Sequence, residues 1–306
     1  MKHGIILIVL TMTIAGFLAS CEDINGTYDA PEWTVHSSAS LSNINAIKFT
    51  NPMHGIAVGD NSAAQLWDGQ IWNSQVLTPL VNLRGVCLLG YEAWVVGDGG
   101  HIFHMTDGGF WSPVASPTDS DLYGVLVDDT GMGWAVGRDG TILQLDQGTW
   151  IIADSPTTQT LRALDRDNHG VYWAVGDGVA LFYENGVWTL DESFPADKVA
   201  TSVDITEQNM MAVGYYGMIL LNEGDGWVEQ ASGTDRNLWG ISRDSSGNGW
   251  AVGDLGEAVR IGADGSFRAT RLTAEPYFGR AMRCIFTLSV DEAWAGTEEG
   301  LVYHYF

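Results

Sequence analysis

Seven near-copies of one short string, set at an almost constant interval, restrict what this chain can fold into more than any bulk property does. The strings are Ile56-Ala57-Val58-Gly59, Trp94-Val95-Val96-Gly97, Trp134-Ala135-Val136-Gly137, Trp173-Ala174-Val175-Gly176, Met211-Ala212-Val213-Gly214, Trp250-Ala251-Val252-Gly253 and Trp294-Ala295-Gly296. Their glycines step by 38, 40, 39, 38, 39 and 43 residues. A second ladder runs in phase, through Trp33, Trp72, Trp111, Trp150, Trp188, Trp227 and Phe267, with steps of 39, 39, 39, 38, 39 and 40. Repetition at such a period marks an architecture in which each unit buries its faces only against its neighbours.

Each repeat divides into four short strands. In the third, residues 122–127, 133–137, 141–145 and 149–153 form strands A, B, C and D. The C-to-D connections carry Asp68-Gly69, Asp107-Gly108, Asn185-Gly186, Asp225-Gly226 and Asp264-Gly265. Such pairs supply the positive φ that tight hairpins need. Four antiparallel strands per unit of about 40 residues describe a propeller blade. The expected fold is therefore all-β, a seven-bladed β-propeller. The seventh repeat runs out at Phe306, in or just after strand C, and lacks strand D. A spare D-type segment, residues 33–37, precedes the first strand A and is expected to complete the last blade, so that no sheet edge is left open.

The N-terminus has a different logic. Lys2 is followed by an uncharged apolar run over residues 5–17 and then by Leu18-Ala19-Ser20-Cys21. The run is short for a bilayer span and fits a signal peptide. The tetrapeptide resembles the bacterial lipobox, which implies that Cys21 is lipidated and becomes the first mature residue. The domain plan is thus a signal peptide over 1–20, a lipidated Cys and short tether over 21–31, and the propeller over 32–306. The address is extracytoplasmic, anchored to a bacterial membrane by lipid. Cys87 and Cys284 fall in strands of blades 2 and 7, with blade 1 between them, and are expected to be small buried hydrophobes rather than a disulfide.

Of the 306 residues only 17% are charged, yet the net charge is −24, because Lys and Arg number just 14. Such a surface repels phosphate backbones and excludes nucleic acid as a partner. Eleven of the 13 tryptophans lie on the two ladders and are expected between blades. Trp67 and Trp239 lie off them and are candidates for ligand contact.

The pattern Leu-x-Gly-Val…Trp-Ala-Val-Gly-x-x-Gly-x-Ile…Asp-Gly-x-Trp resembles the photosystem II stability/assembly-factor propellers and, more broadly, BNR/Asp-box-type repeats. The most Asp-box-like string is Thr106-Asp107-Gly108-Gly109-Phe110-Trp111. The resemblance covers residues 32–306. It implies the propeller fold and a role as an assembly or binding platform. Sialidases share such repeats, but the Phe/Tyr-Arg-Ile-Pro motif that carries their first arginine does not occur here.

In a propeller the D-to-A and B-to-C connections share one face around the central opening. The second position of strand A there holds Asn45, Arg84, Tyr123, Arg162, Thr201, Trp239 and Arg283. Three of the 14 basic residues fall on these seven positions, beside a Tyr and a Trp. Arg and aromatics are common interface anchors, and Arg matches carboxylate or phosphate with a planar fork. Asn45, Arg84, Tyr123, Arg162, Trp239 and Arg283 are accordingly the candidate site for a protein partner or an anionic ligand. The competing expectation pairs each Arg with Asp60, Asp98, Asp177 or Asp254 in the B-to-C turns. Those aspartates also suit turn chemistry, and spread one per blade they do not make a Ca²⁺ cluster. His101 and His104 point to opposite faces of a strand, and no metal site or cofactor is expected. No catalytic residues are assigned, and the chain is expected to be a monomeric binding scaffold. The alternative is a carbohydrate-active propeller, sialidase-like or lyase-like.

Overall fold

In the computed structural model, which describes residues 33–38, 40–106, 109–272 and 279–306, the chain forms seven four-stranded antiparallel sheets. Blade 1 spans residues 44–76, blade 2 83–114, blade 3 122–152, blade 4 161–190, blade 5 200–230 and blade 6 238–271. Blade 7 is built from Met282–Ser289, Glu292–Thr297 and Leu301–Tyr305, with Trp33–Ser37 as its outermost strand. The Trp33–Ser37 strand pairs antiparallel with Leu301–Tyr305, Trp33 opposite Tyr305 and Ser37 opposite Leu301. The expected closure is therefore present. The signal peptide, Cys21, the tether and the Asp107-Gly108 pair lie outside the described residues.

Strand A of every blade touches strand A of both neighbours, so these strands form the innermost ring. Its tightness is met by small residues. A Cβ on Gly85 would stand 2.7 Å from the Tyr123 carbonyl oxygen, and one on Gly240 3.1 Å from Cys284 Cα. The repeat glycine ending strand B has a similar cause. Its backbone is extended, but a Cβ on Gly137 would lie 2.0 Å from the Asp121 oxygen. Blade 7 corrects the sequence alignment here. Thr297, not Gly296, faces Met282 at the position where Gly137 faces Leu122. Gly296 takes the preceding valine's place, because Cys284 and Ile44 already fill the room a side chain would need.

The two tryptophan ladders interlock between blades. The strand-B ring of one blade meets the strand-D ring of the next: Trp94 on Trp150 at 5.6 Å, Trp134 on Trp188 at 5.1 Å, Trp250 on Trp33 at 5.6 Å and Trp294 on Trp72 at 6.0 Å. Edge-on contacts at these separations suit the aromatic quadrupole. Cys87 and Cys284 are free and buried, as expected. Each blade has two ends. Strand A begins, and B turns into C, at the end called here the ring face. The A-to-B and C-to-D turns make the opposite hairpin face.

Candidate functional site

The residue singled out on strand A has a geometry no periodicity rule supplies. In all seven blades the pairing of strands A and B slips at this position. Leu122 faces Gly137, Gly124 faces Val136, and Tyr123 between them has no partner. The same slip brackets Asn45, Arg84, Arg162, Thr201, Trp239 and Arg283. A bulge leaves its extra residue out of the ladder and re-aims the side chain. In every blade but the fifth it aims toward the first residue of the B-to-C turn, 14 or 15 positions on.

What each side chain meets there is specific. Arg84 holds Asp98 through two parallel bonds, Nε to Oδ1 at 2.8 Å and Nη2 to Oδ2 at 3.0 Å. Arg162 grips Asp177 the same way, at 2.6 and 3.1 Å. Arg283 reaches Glu298 by one nitrogen, at 2.8 Å, and its buried Nε has no hydrogen-bond partner among the described residues. Asn45 donates to Asp60 at 2.8 Å, and the Trp239 indole donates to Asp254 at 2.6 Å. Thr201 bonds instead to the Val213 and Leu238 carbonyls. The pairing of arginine with turn acid is thus present in blades 2, 4 and 7. Of the four turn aspartates, all direct their carboxylates to strand A.

Arg84 and Asp98 hold each other charged. Burial pushes the Asp98 carboxyl up, but the bonds from Arg84 and Asn82 outweigh it and hold it below the ordinary range. The hydrogen bond to Asp98 likewise raises Arg84. Asn43, Asn82 and Asn237, two residues before the bulged position, donate to the same acids at 2.8, 2.9 and 3.0 Å. Their Oδ1 atoms accept backbone amides of the preceding blade, from Glu299, Asn61 and Tyr216. The ring face is therefore a preformed polar collar stitched across blade boundaries. About 30% of the Arg84 and Arg162 side chains stays open to solvent, so one edge of each remains presentable.

Sequence reasoning missed three parts of this face. Blade 3 exchanges the two roles: Arg138 occupies the turn position, pairs with Asp121 at 2.7 Å and interacts with Tyr123. An Arg where four other turns carry Asp was a legible signal. Blades 5 and 6 present Tyr216 and Leu255 at left-handed φ of 58° and 56°, 83% and 45% exposed. Such a backbone is costly for bulky residues. Tyr215 stands edge-on to Trp239 at 5.7 Å. Beside Tyr216 an open groove of about 810 Å³ runs to Arg271 over Glu257. That carboxylate is buried between Arg236 at 3.5 Å and Arg271 at 3.4 Å. Trp67 is a correction. It is buried against Trp72 and Trp294, with its indole on the Pro52 carbonyl, and is core rather than a ligand contact.

Deeper along the inner ring, side chains of one blade cap backbone amides of the next. Asp165 accepts from Ile205 N at 2.7 Å, Asp204 from Arg243 N at 3.1 Å, and Ser242 from Thr287 N at 2.9 Å. Burial, then the charge of Asp204, pushes the Asp165 carboxyl up to about 7. Arg243, itself 1% exposed, neutralises Asp204 at 2.7 Å. These acids hold blades together.

No protein-family model matches this chain, and no curated protein does. Solved structures do. A structure described as YCF48 bound to D1 peptide superposes with a TM-score of 0.73 at 19% identity, over 91% of this chain and 98% of that one. YCF48 from Cyanidioschyzon merolae gives 0.71 at 19% identity, over 90% and 99%. Virginiamycin B lyase from Staphylococcus aureus gives 0.75 at 14% identity, over 89% and 99%. The likeness is one of fold. It spans a binding protein and a lyase alike, so the site rather than the fold must carry the function.

Proposed function

We propose that this chain is a lipid-anchored, extracytoplasmic binding scaffold that engages a protein partner, or an anionic group on it, through the ring face. The observation that carries this reading is the sevenfold bulge, which turns one side chain per blade out of the sheet and onto a single face. Bulges are retained where a side chain must be re-aimed. The half-open forks of Arg84 and Arg162 and the part-exposed Arg283 side chain offer donors to a carboxylate. The exposed Tyr216 and the Trp239 beside Tyr215 offer aromatic anchors. That a YCF48 propeller of like fold carries a bound peptide supports the same use of this one. Nothing specific favours the carbohydrate-active reading.

The test is capture of crosslinked partners from envelope extract by wild-type protein and by an Arg84/Arg162/Arg283→Ala variant, with melting curves to show both are folded. Loss of the captured partner by a folded variant is the expected result. Recovery of the same partner at the same yield would remove the ring from the function.

A further inference from the structure

The hairpin face is uneven. Met53 and Ile71 of blade 1 are each 60% exposed there, Leu89 and Tyr91 of blade 2 are 40% and 61% exposed, and Val290 and Phe306 of blade 7 are 39% and 63% exposed. They sit at turn tips or strand ends of three consecutive blades. The hairpin-face turns of blades 5 and 6 hold no exposed large apolar side chain among the described residues and carry Glu207, Asp225, Asp244 and Asp264; those of blades 3 and 4 lie between, with Met132 and Val187 39% and 59% exposed. An apolar sector of this kind on one side of a face marks an interaction surface.

Where the chain enters the propeller names the occupant. Trp33, the first described residue, lies opposite Tyr305 at the end of strand C, which is the hairpin end of blade 7. Strand Trp33–Ser37 therefore begins on the same face and in the same sector as the apolar tips. The 11 residues 22–32 reach at most about 36–40 Å. A lipid on Cys21 would hold this part of the face within that distance of a bilayer, while the ring face lies at the other end of the blades.

We infer that the hairpin face of blades 7, 1 and 2 rests on the bilayer that holds the Cys21 lipid, tilting the acidic turns of blades 5 and 6 away and turning the ring face to the compartment. This rests on the lipid-anchor reading above. Apolar side chains on an anchored surface add affinity in proportion to the area they bury at the interface.

The test uses the full acylated chain in phosphatidylcholine vesicles. A fluorophore is placed by Tyr91→Cys on the hairpin face, or by Asp139→Cys on the ring face. Cys87 and Cys284 are buried and stay unlabelled. Spin-labelled phosphatidylcholine should quench the position-91 probe about threefold more than the position-139 probe, because docked apolar tips sink ~5–10 Å into the headgroup boundary. Met53→Ser with Ile71→Ser should bring the ratio back toward one. Equal quenching in protein whose N-terminal peptide carries the acyl mass would overturn the docking alone. A Cys21 without acyl mass would overturn the anchor and the docking together. A position-91 probe shielded from aqueous iodide yet not quenched by lipid would mean that a second copy or another protein covers the sector, and would also overturn it.

Discussion

Blade 7 and blade 4 close the ring by opposite means. At the boundary of blade 7 with blade 1 the contact is aromatic. His304 stacks on Trp294 at 3.7 Å, and Trp294 meets Phe49, Trp67 and Trp72 at 5.0 to 6.0 Å. At the boundary of blade 4 with blade 5 the inner wall is polar, with Asp165 on an Ile205 amide, and the next boundary, of blade 5 with blade 6, repeats it with Asp204 on Arg243. Tryptophan pairs also join the consecutive blades 2 and 3 and blades 3 and 4, so the interlock is general to the ring, and chain order decides only where it matters most. Blades 4 and 5 are consecutive, so their strands find each other by short connections, and buried carboxylates are tolerable there. Blade 7 must recruit Trp33–Ser37 from the far end of the chain, a long loop closure that costs entropy before any contact repays it. A dense apolar interlock supplies the return.

The largest expected break in this contrast is deletion of residues 32–38, which should abolish cooperative folding. Deletion of 22–30 should leave the melting temperature unchanged, and circular dichroism melts decide between them. Next comes Trp294→Ala, which should cost about 3–5 kcal/mol in urea unfolding, as for other large aromatics removed from a packed core. Trp173→Ala in the half-buried setting of blade 4 should cost clearly less.

The two boundaries should also answer pH in opposite directions. Burial, then the charge of His36, lowers the His304 pKa to about 4. Glu292 stands 3.4 Å from its Nε2 but makes no hydrogen bond, so burial prevails. A histidine with a depressed folded pKa contributes stability above about 6.5 and loses it as pH falls toward 4, by roughly 1–3 kcal/mol. Asp165 has the reverse sign. Its raised pKa favours the fold at low pH, and that contribution fades as pH climbs from about 4 through about 7. Melting curves from pH 4 to 8 should flatten on the acid side in His304→Phe and on the alkaline side in Asp165→Asn. The smallest effect belongs to the ring face. Arg162→Ala should change stability by about 0–1 kcal/mol, since partly solvated ion pairs contribute little. A larger loss would mean that the collar is structural first.

Much of this was open to reading before any coordinates. The 39-residue period gave seven blades, and the missing strand D of the last repeat pointed to residues 33–37. The ring positions can be aligned from sequence because Leu-x-Gly and its variants stand 14 or 15 residues before the end of strand B. Reading Gly296 as the seventh repeat glycine is off by one, since Thr297 stands at that place. That error needed Cys284 and Ile44 to expose it, residues that meet Gly296 only through space. Trp67 misled for the same reason: its burial is decided by Trp72 and Trp294 of other strands.

Spacing and turn chemistry by themselves determine the blade count, the strand order within a blade and the closing strand, since these depend on intervals counted along the chain. Tertiary structure alone decided that the seven strand-A residues are bulged, that arginines 84, 162 and 283 share their charge with turn acids, and that apolar tips gather on the side where the chain enters. Those outcomes depend on which atoms approach when segments 14 or 15 residues apart, or a whole blade apart, are folded against each other, and no local rule encodes that approach.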